Sequence, residues 1–483
     1  MSIRKIKMTS LFMICVVFCT AQNSTVTFEP YPFESKSGKT VEAELGTFSV
    51  PENRAIANSG NIDLYFVRFK STNPNPGNPI VYLAGGPGGS GISTAKGARF
   101  ELFMALREVA DVIALDQRGT GLSNQIPPCQ KSAVFPLDIP GTSESYISEM
   151  SKTAKECISF WKEQGVALEG YTTVENANDL EDLRKALGVS KINLWGISYG
   201  SHLAFDFVKR YEESVGKIVM AGLEGPGHTI KLPENNQGFL RKLNDKVQEN
   251  TEAAKAYPDL LGLIESVLSD LAKKPVITDV TDPRSGTTLK VGISKLDVQL
   301  ATSYLLTKNP EDSAKLPYMF HQMSLGDFSS MAQMVAGIKT FAGRIQAMPL
   351  IMDAASGISK KRWEKVQKQA ERNLLGRSTN FPFPDVAFTL DLPDAGDSFR
   401  ENPVSNVPAL FFSGTLDGRT YLESAQELAK GFTNAKHVLI DGAGHDMFMS
   451  TPKVKDLILD FLGNTEIQSQ TIKIETPNFI LPN

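Results

Sequence analysis

Short apolar runs alternate along the chain with longer helical patterns, which is typical of an α/β sheet. Residues 41–50 and 61–70 alternate apolar and polar positions, as an antiparallel pair of strands does. Further runs are short and almost wholly apolar, which predicts buried parallel strands at residues 80–84, 112–115, 192–195 and 217–220. Helical spacing between these runs, at residues 95–110 and 178–187, supplies helices to cover the sheet.

The strand pattern stops after Gly225, and residues 235–373 show a run of helical patterns. Buried-strand character returns in two places, each followed by a helical pattern: residues 407–413 and 436–440, with helices at 422–430 and 453–462. The sequence therefore predicts one α/β domain with a mostly parallel sheet and helices on both faces, interrupted by a mostly helical insertion. The predicted parts are a first core part (22–224), the insertion (225–400), a second core part (401–463) and a tail without an assigned place (464–483).

The first 21 residues have the layout of a cleavable secretory signal. A basic start precedes an apolar run at residues 11–19, and small residues place the predicted cleavage after Ala21. A lipid anchor on Cys19 is the alternative, but Phe18 is bulky where a lipidation site needs a small residue. The apolar run is too short to span a bilayer, and we expect an exported protein, periplasmic or extracellular, without stable membrane insertion.

Export changes the meaning of the cysteines, because an oxidising compartment favours disulfides. After cleavage only Cys129 and Cys157 would remain, and we expect them to pair. Two independent buried thiols are the alternative.

Charge and composition exclude several classes of function. Fifty basic residues against fifty-four acidic ones give a net charge of −4, which does not predict a nucleic-acid partner. Five histidines and four cysteines are too few to predict a zinc-ribbon or an iron–sulfur site. We therefore expect neither a metal nor a cofactor.

A G-x-S-x-G motif, residues 196–200, lies between a predicted strand and a helical pattern that begins at Ser201. A sharp turn from strand to helix exposes the central side chain at the carboxyl edge of the sheet, which is the geometry of a hydrolase nucleophile. The sequence therefore predicts Ser198 as a nucleophile; an ordinary tight turn is the alternative.

A serine nucleophile needs a base and an acid that orients the base. His445 lies among small residues between the last predicted strand and the last helix, and Asp417 follows the strand before it. Asp441 and Asp446 are too near His445 in sequence to reach its ring. The order Ser198, Asp417, His445 is the order of α/β-hydrolase triads. For the remaining histidines we expect packing or surface roles: His202, His228, His321 and His437.

A glycine-rich loop, residues 85–91, follows another predicted strand. Its N–H groups can approach an oxyanion closely because no Cβ intervenes. Gly86, Gly88 and Gly91 also match the dinucleotide fingerprint, with Asp116 at the end of the next strand. Three observations disfavour a dinucleotide site. Export would take the chain away from nicotinamide cofactors, Pro87 occupies a variable position of the motif, and a dinucleotide site would leave Ser198, Asp417 and His445 unexplained.

Four motifs, at residues 85–91, 116–123, 195–200 and 414–417, resemble those of the prolyl-iminopeptidase and tripeptidyl-aminopeptidase family of α/β-hydrolase serine peptidases. The resemblance extends over about residues 46–462. It implies an α/β-hydrolase fold with a helical cap over the active site, and cleavage at peptide N-termini. It also implies that the N–H groups of Gly86 and Tyr199 form the oxyanion hole, and that residues 116–123 are a structural turn. Ala84 stands where proline iminopeptidases usually have histidine, which favours the tripeptidyl-aminopeptidase-like branch.

The sequence thus predicts an exported, metal-free serine aminopeptidase that acts on peptides with a free N-terminus. A carboxylesterase and a non-catalytic binding protein on the same fold are the alternatives, and the oligomeric state is not specified. Glu224, just past a predicted strand, is the hypothetical partner of the substrate ammonium group; a solvated or salt-bridged loop glutamate is the alternative. Four methionines at helical spacings in the insertion predict apolar core or, secondarily, a substrate wall: Met319, Met323, Met331 and Met334.

Overall fold

The computed structural model describes residues 25–282 and 285–482. The predicted signal segment, including Cys19 and Ala21, lies outside the described residues.

Ten of the described strands form a single sheet in the order β1-β2-β3-β5-β4-β6-β7-β10-β11-β12. The strands are β1 Thr27–Glu34, β2 Thr40–Pro51, β3 Asn61–Phe69, β4 Ile80–Leu83, β5 Val112–Leu115, β6 Ile192–Ser198, β7 Val215–Leu223, β10 Ala409–Gly414, β11 Ala435–Asp441 and β12 Gln470–Lys473. Strands β1 to β3 pair antiparallel, and β3 meets β5 antiparallel. From β5 to β12 every pairing is parallel.

The middle of the sheet is buried on both faces, as the continuous apolar runs predict. Every residue of β4, β5, β6 and β10 is buried. Successive side chains point to opposite faces, so Leu194 joins one apolar cluster and Trp195 joins the other. Helices that belong to the core cover these faces: α1 Gly91–Lys96, α2 Phe100–Leu106, α3 Ser143–Glu163, α4 Thr173–Ala186, α5 Tyr199–Tyr211, α17 Leu422–Ala429 and α18 Pro452–Leu462. This is the predicted α/β-hydrolase architecture.

Between the end of β7 and the start of β10 the chain leaves the sheet and forms the insertion. Its helices are α6 Pro233–Glu249, α7 Thr251–Ala256, α8 Leu260–Lys273, α9 Lys295–Leu306, α10 Pro310–Ser313, α11 Leu316–Ser324, α12 Ser329–Phe341, α13 Ala347–Ser356, α14 Lys360–Ala370, α15 Phe383–Ala387 and α16 Asp397–Arg400. Most of these helices pack around an apolar cluster of their own, whereas α13 contributes its buried side chains to the core of the α/β domain. The insertion is therefore anchored on the core through α13, and its exact boundaries stay a prediction.

Three features of the fold differ from the sequence prediction. The insertion contains an antiparallel hairpin, β8 Val276–Thr281 with β9 Thr288–Ile293, so strand structure does not stop after Gly225. A single helix over residues 95–110 was expected, but Gly97 ends α1 and the chain begins again as α2. The largely exposed strand β1, with two prolines, was not predicted because it carries little apolar signal.

The tail has a definite place. Strand β12 extends the sheet beside β11, and the backbone carbonyl of Ile480 accepts a hydrogen bond from the Tyr257 hydroxyl of the insertion at 2.5 Å. The side chain of Phe479 packs on the apolar cluster of the insertion. The C-terminal residues thus connect the edge of the core sheet with the insertion.

The expected disulfide between Cys129 and Cys157 is present and joins the segment after β5 to helix α3. Among the four methionines, Met319, Met323 and Met331 are buried in the core of the insertion and Met334 packs against it. These positions agree with the apolar-core interpretation, and the secondary interpretation as a substrate wall stays a prediction. In the part of the chain that the structure describes, no helix combines the length and apolarity needed to cross a bilayer.

Candidate active site

The predicted nucleophile stands on a strained turn between strand and helix. Ser198 ends β6 with φ 59° and ψ −127°, and Tyr199 begins α5. A non-glycine residue rarely adopts this backbone conformation, so the surrounding packing must impose it. An ideal Cβ at Gly200 would collide with the carbonyl oxygen of Leu83, and one at Gly196 would lie 3.1 Å from it. The two glycines of the motif therefore let the turn lie directly against β4.

The glycine loop after β4 passes beside the serine. A Cβ at Gly85 would stand 3.2 Å from Ser198 Cβ and 3.8 Å from its Oγ. Gly86 has φ 132°, and a Cβ there would lie 2.9 Å from the amide nitrogen of Gly88. The Tyr199 side chain is turned into the core, where its hydroxyl lies 3.1 Å from Thr173 Oγ1. Gly86 and Tyr199 thus flank Ser198 through their backbones, and their oxyanion-hole role stays a prediction.

Asp417 and His445 form a direct pair. His445 Nδ1 lies 3.0 Å from Asp417 Oδ2 and 3.1 Å from Oδ1. The carboxylate also accepts the backbone N–H groups of Arg419 and Thr420 at 2.8 and 3.0 Å, and the Thr420 hydroxyl at 2.5 Å. Burial alone would raise the pKa of Asp417, but the attraction to His445 and these hydrogen bonds hold it below its usual value. Asp417 is therefore a buried anion that fixes the imidazole.

The imidazole lies next to the strand partner of the serine. Ser198 is opposite Leu223 in the ladder between β6 and β7. A Cβ at the neighbouring Gly222 would lie 3.1 Å from His445 Cε1. Ser201 Oγ donates to the carbonyl of Ser198 at 2.6 Å and also lies 3.3 Å from that of Gly222. Within the described residues no hydrogen bond joins Ser198 to His445, and catalytic hydrogen bonds commonly tighten only when substrate is bound.

The competing acids are engaged elsewhere. Asp441 accepts a hydrogen bond from Thr415 at 2.9 Å and faces Lys246, and Asp446 pairs with Arg99 at 2.6 Å. Neither carboxylate contacts His445 Nδ1. Asp417 is the acid that the fold brings to His445.

The other histidines lie apart from the triad. His202, on α5, is buried between the Gly225 carbonyl and the Ser356 hydroxyl, both at 3.2 Å. Burial lowers the pKa of His437 to about 4, and that of His228 to about 3 with help from nearby cations. His321 packs against the Tyr257 ring in the insertion. These positions agree with the expected packing roles.

Asp116 closes the turn beside the glycine loop. Its carboxylate accepts the Ser90 hydroxyl at 2.6 Å and the N–H groups of Leu122 and Ile92 at 2.8 and 3.1 Å. A dinucleotide site would need this acid to bind a ribose. Asp116 is instead committed to holding two loops together, as the structural-turn interpretation of residues 116–123 expects.

A cavity of about 420 Å³ lies above Ser198, between the core and the insertion. We call this space the acyl-side cavity. Its wall includes Gly86, Ser198 and Glu224 of the core. The insertion supplies most of the remaining wall, including Lys231, Leu300, Ser303, Tyr304, Thr307, Asp353 and Phe381. Its volume is in the range of roughly 300–1,000 Å³ that is typical of small-molecule and cofactor sites.

Two carboxylates, one ammonium group and the guanidinium of the exposed Arg419 share this cavity. Glu224 Oε1 lies 2.5 Å from Lys231 Nζ, so Glu224 is salt-bridged, as the alternative interpretation proposed, and also lines the cavity. Asp353, on α13, faces the same space, and its burial together with the charge of Glu224 raises its pKa to about 8. Sequence reasoning missed Lys231 and Asp353. Asp353 is the single charged residue of α13, and a lone carboxylate in an apolar helix is a usable signal.

Comparisons with known families support the α/β-hydrolase fold. An α/β-hydrolase-fold domain matches residues 78–270, and a TAP-like domain matches residues 389–472. The tripeptidyl aminopeptidase of Streptomyces coelicolor (strain ATCC BAA-471 / A3(2) / M145) is 27% identical over 161 residues, 30% of this chain and 28% of that protein. Serine protease Hip1 of Mycobacterium tuberculosis (strain ATCC 25618 / H37Rv) is 27% identical over 192 residues, 38% of this chain and 36% of that protein. The chain thus spans about a third of the length of these relatives.

Among solved structures, MGS-M2, an α/β hydrolase enzyme from a Medee basin deep-sea metagenome library, aligns with 84% of this chain and 96% of its own. The identity is 15% and the TM-score 0.38. The fold assignment rests on the strand order and the domain match rather than on this likeness.

Removing the nucleophile or its orienting acid should abolish turnover without unfolding the protein. We expect Ser198→Ala to lower kcat by about 10³–10⁶-fold and to lose covalent labelling by a fluorophosphonate probe. Asp417→Asn should lower kcat by about 10⁴-fold, because the imidazole loses the carboxylate that orients it. Asp441→Asn is the matched control and should keep near-normal turnover and labelling. Normal labelling of a pure, folded Ser198→Ala protein would contradict the assignment.

Proposed function

The chain is an α/β hydrolase with a TAP-like C-terminal segment, and we propose that it is an exported serine aminopeptidase that removes short peptides from the N-termini of peptide substrates. The observation that carries this proposal is that charged side chains line the acyl-side cavity together with Ser198. Glu224, Asp353 and Lys231 lie in the wall that Ser198 also lines. A serine nucleophile that shares a cavity with two carboxylates suits a substrate that carries a cation near its scissile bond.

The proposed chemistry follows from the order of contacts around Ser198. Its Oγ attacks the scissile carbonyl carbon while His445 Nε2 accepts the proton, and Asp417 stabilises the imidazolium that results. The N–H groups of Gly86 and Tyr199 are the proposed donors to the oxyanion. His445 then protonates the leaving amine, and water hydrolyses the acyl-enzyme by the same route in reverse.

The charge balance of the cavity favours an α-ammonium group. Among the three charged groups that are shielded from solvent, Glu224 and Lys231 cancel each other, so an ionised Asp353 leaves these three with one net negative charge. Arg419 also lines the cavity, but its side chain is exposed and water screens its charge. A substrate cation would supply the missing positive charge, and a desolvated ion is tolerated in a protein only when it is paired. In the free enzyme Asp353 avoids its unpaired charge by holding a proton, which agrees with its raised pKa.

The insertion supports a preference for small and flexible substrates. It closes the acyl-side cavity over Ser198, and α13 fixes it to the core through buried apolar side chains. A folded protein surface cannot reach a nucleophile that is only 7% exposed beneath such a cap. The disulfide supports an oxidising compartment, in agreement with the proposed export.

Carboxylesterase activity is the alternative, because the same triad cleaves esters. A non-catalytic binding role is the other alternative, and failure to label with a fluorophosphonate probe would support it. An esterase does not need two carboxylates in its acyl-side cavity, which is why the peptidase proposal is preferred.

A digest of a mixed peptide library, read by mass spectrometry, tests the proposed function. We expect fragments of uniform length cut from free N-termini, because one end of the substrate is held at a fixed distance from Ser198. Acetylated copies of the same peptides should resist cleavage. Cleavage of esters alone, or efficient cutting of a folded protein at internal loops, would contradict the proposal.

Glu224→Gln should weaken substrates that carry a free amine. The substitution removes one of the two carboxylates proposed to face the substrate cation, so we expect a loss of about 2–4 kcal/mol in kcat/KM for free-amine peptides, the range for losing one partner of a buried charge pair. Simple esters and N-acetylated peptides should change little. Glu423→Gln, which removes an exposed ion pair with Lys242, is the matched control. Equal losses on blocked and unblocked substrates would show that Glu224 is structural.

Binding of a free-amine peptide should release a proton from Asp353. With a pKa of about 8 the carboxyl is mostly protonated at pH 7, and a bound cation lowers that pKa. We expect Ser198→Ala protein to release about half to one proton per peptide bound at pH 7, measured by calorimetry in buffers of different ionisation enthalpy. The affinity should therefore rise with pH up to about 8. A second substitution, Asp353→Asn, in the Ser198→Ala protein should remove the proton release. Asp385→Asn in the same background is the control and should keep it. Unchanged proton release in the Asp353→Asn variant would contradict the role of Asp353.

A further inference from the structure

A second cavity, of about 540 Å³, has His445 but not Ser198 in its wall. His445 and the loop around it form one wall. The segment of the insertion that follows α9 and begins α10 forms a second wall, through Lys308 and Glu311. The tail forms a third wall, through Ile474 and Glu475. Three separate parts of the chain therefore meet to build this space, which we call the His445-side cavity.

The two cavities divide the catalytic residues between them. Ser198 lies in the wall of the acyl-side cavity, whereas His445 lies in the wall of the His445-side cavity. Thr307 lines the first cavity and its chain neighbour Lys308 lines the second. The chain just after α9 therefore borders both cavities.

We propose that the His445-side cavity binds the segment of the peptide that leaves, namely the residues on the carboxyl side of the scissile bond. The inference rests on the acyl-enzyme chemistry proposed above. His445 must hand its proton to the nitrogen of the leaving group, so the departing chain begins within reach of the imidazole. The acyl part occupies the cavity that holds Ser198 and the carboxylates. The space that continues past His445 is then the path of the remaining chain.

The lining of the His445-side cavity suits a peptide better than a simple anion or a fatty alcohol. Lys308, Glu311 and Glu475 are exposed and place charges of both signs around the opening. Met449, 45% exposed, offers apolar surface in the same wall. Arg99 also lines the cavity, but its guanidinium is bound to Asp446 at 2.6 Å and to the Tyr82 hydroxyl at 2.5 Å. Mixed charge with apolar surface matches the varied side chains of a polypeptide.

The reverse of the leaving step gives a direct assay of this cavity. When an amine replaces water, its nitrogen attacks the carbonyl carbon of the Ser198 ester, His445 accepts the amine proton and then returns a proton to Ser198 Oγ as the ester bond breaks. The products are an amide and free enzyme, so atoms and charge balance without a further reactant. An amine that binds in the cavity competes with water better than one that does not.

The experiment measures how an acyl-enzyme divides between water and added amines. A p-nitrophenyl ester supplies the acyl group, and release of p-nitrophenol reports acyl-enzyme formation. The acceptors are Ala-Ala-Ala-amide and methylamine, and the amide products are quantified by mass spectrometry. We expect transfer to the tripeptide amide to saturate with its concentration, and transfer to methylamine to rise linearly.

Variants that fill the cavity from two different walls should act on the tripeptide acceptor alone. Lys308→Trp and Glu475→Trp change exposed side chains, and each should lower the ratio of tripeptide transfer to methylamine transfer by about tenfold or more, the effect of losing one subsite. Lys274→Trp, on an exposed residue outside both cavities, is the matched control and should keep the ratio. Circular dichroism checks that each variant is folded.

The outcomes separate this site from the proposed function. Acyl-enzyme formation with linear, unsaturable tripeptide transfer, or with ratios unaffected by both variants, would overturn the His445-side cavity as the leaving-segment site and leave the triad intact. Absence of any acyl-enzyme would overturn the serine chemistry and this site with it. Saturation that both variants abolish, on a protein that cleaves esters but no peptides, would support the cavity while overturning the aminopeptidase proposal.

Discussion

The strained backbone of Ser198 is the constraint on which the rest of the site depends. A residue with backbone angles φ 59° and ψ −127° persists only where its surroundings hold it in place. Here two glycines, which carry no Cβ, allow the turn to lie directly against the Leu83 carbonyl. The buried parallel strands β4, β6 and β7 keep that contact in place. Because the turn is fixed, the serine hydroxyl, the first N–H of α5 and the glycine loop after β4 converge at one point.

The parallel sheet also explains why distant residues meet at that point. Gly86, Ser198, Glu224, Asp417 and His445 each follow the carboxyl end of a strand, and those ends share one edge of the sheet. The sheet therefore supplies the candidate catalytic residues, and the insertion above the edge supplies most of the surroundings. Their meeting creates one cavity with Ser198 in its wall and a second with His445 in its wall. Side chains of the insertion can therefore change these walls without altering the proposed triad.

Burial converts ordinary side chains into a charge-sensitive site. Burial raises the pKa of both carboxylates, but their neighbours differ. Hydrogen bonds and His445 keep Asp417 ionised, whereas Asp353 near Glu224 gains no comparable donors and holds its proton. One acid is thus fixed as an anion that orients a base. The other has a charge that depends on what enters the cavity.

The sequence by itself determined the sheet core, the triad candidates and the disulfide, because each has a local signal. Continuous apolar runs mark buried strands, and the strand–glycine–serine–glycine–helix pattern marks Ser198 whatever the distant chain does. Only the tertiary structure decided that Asp353 and Lys231 share the cavity of Ser198, and that the tail lines a second cavity beside His445. These residues carry no periodic signal, since their position depends on how the insertion packs on the core, and that packing is fixed by long-range contacts that no local pattern records.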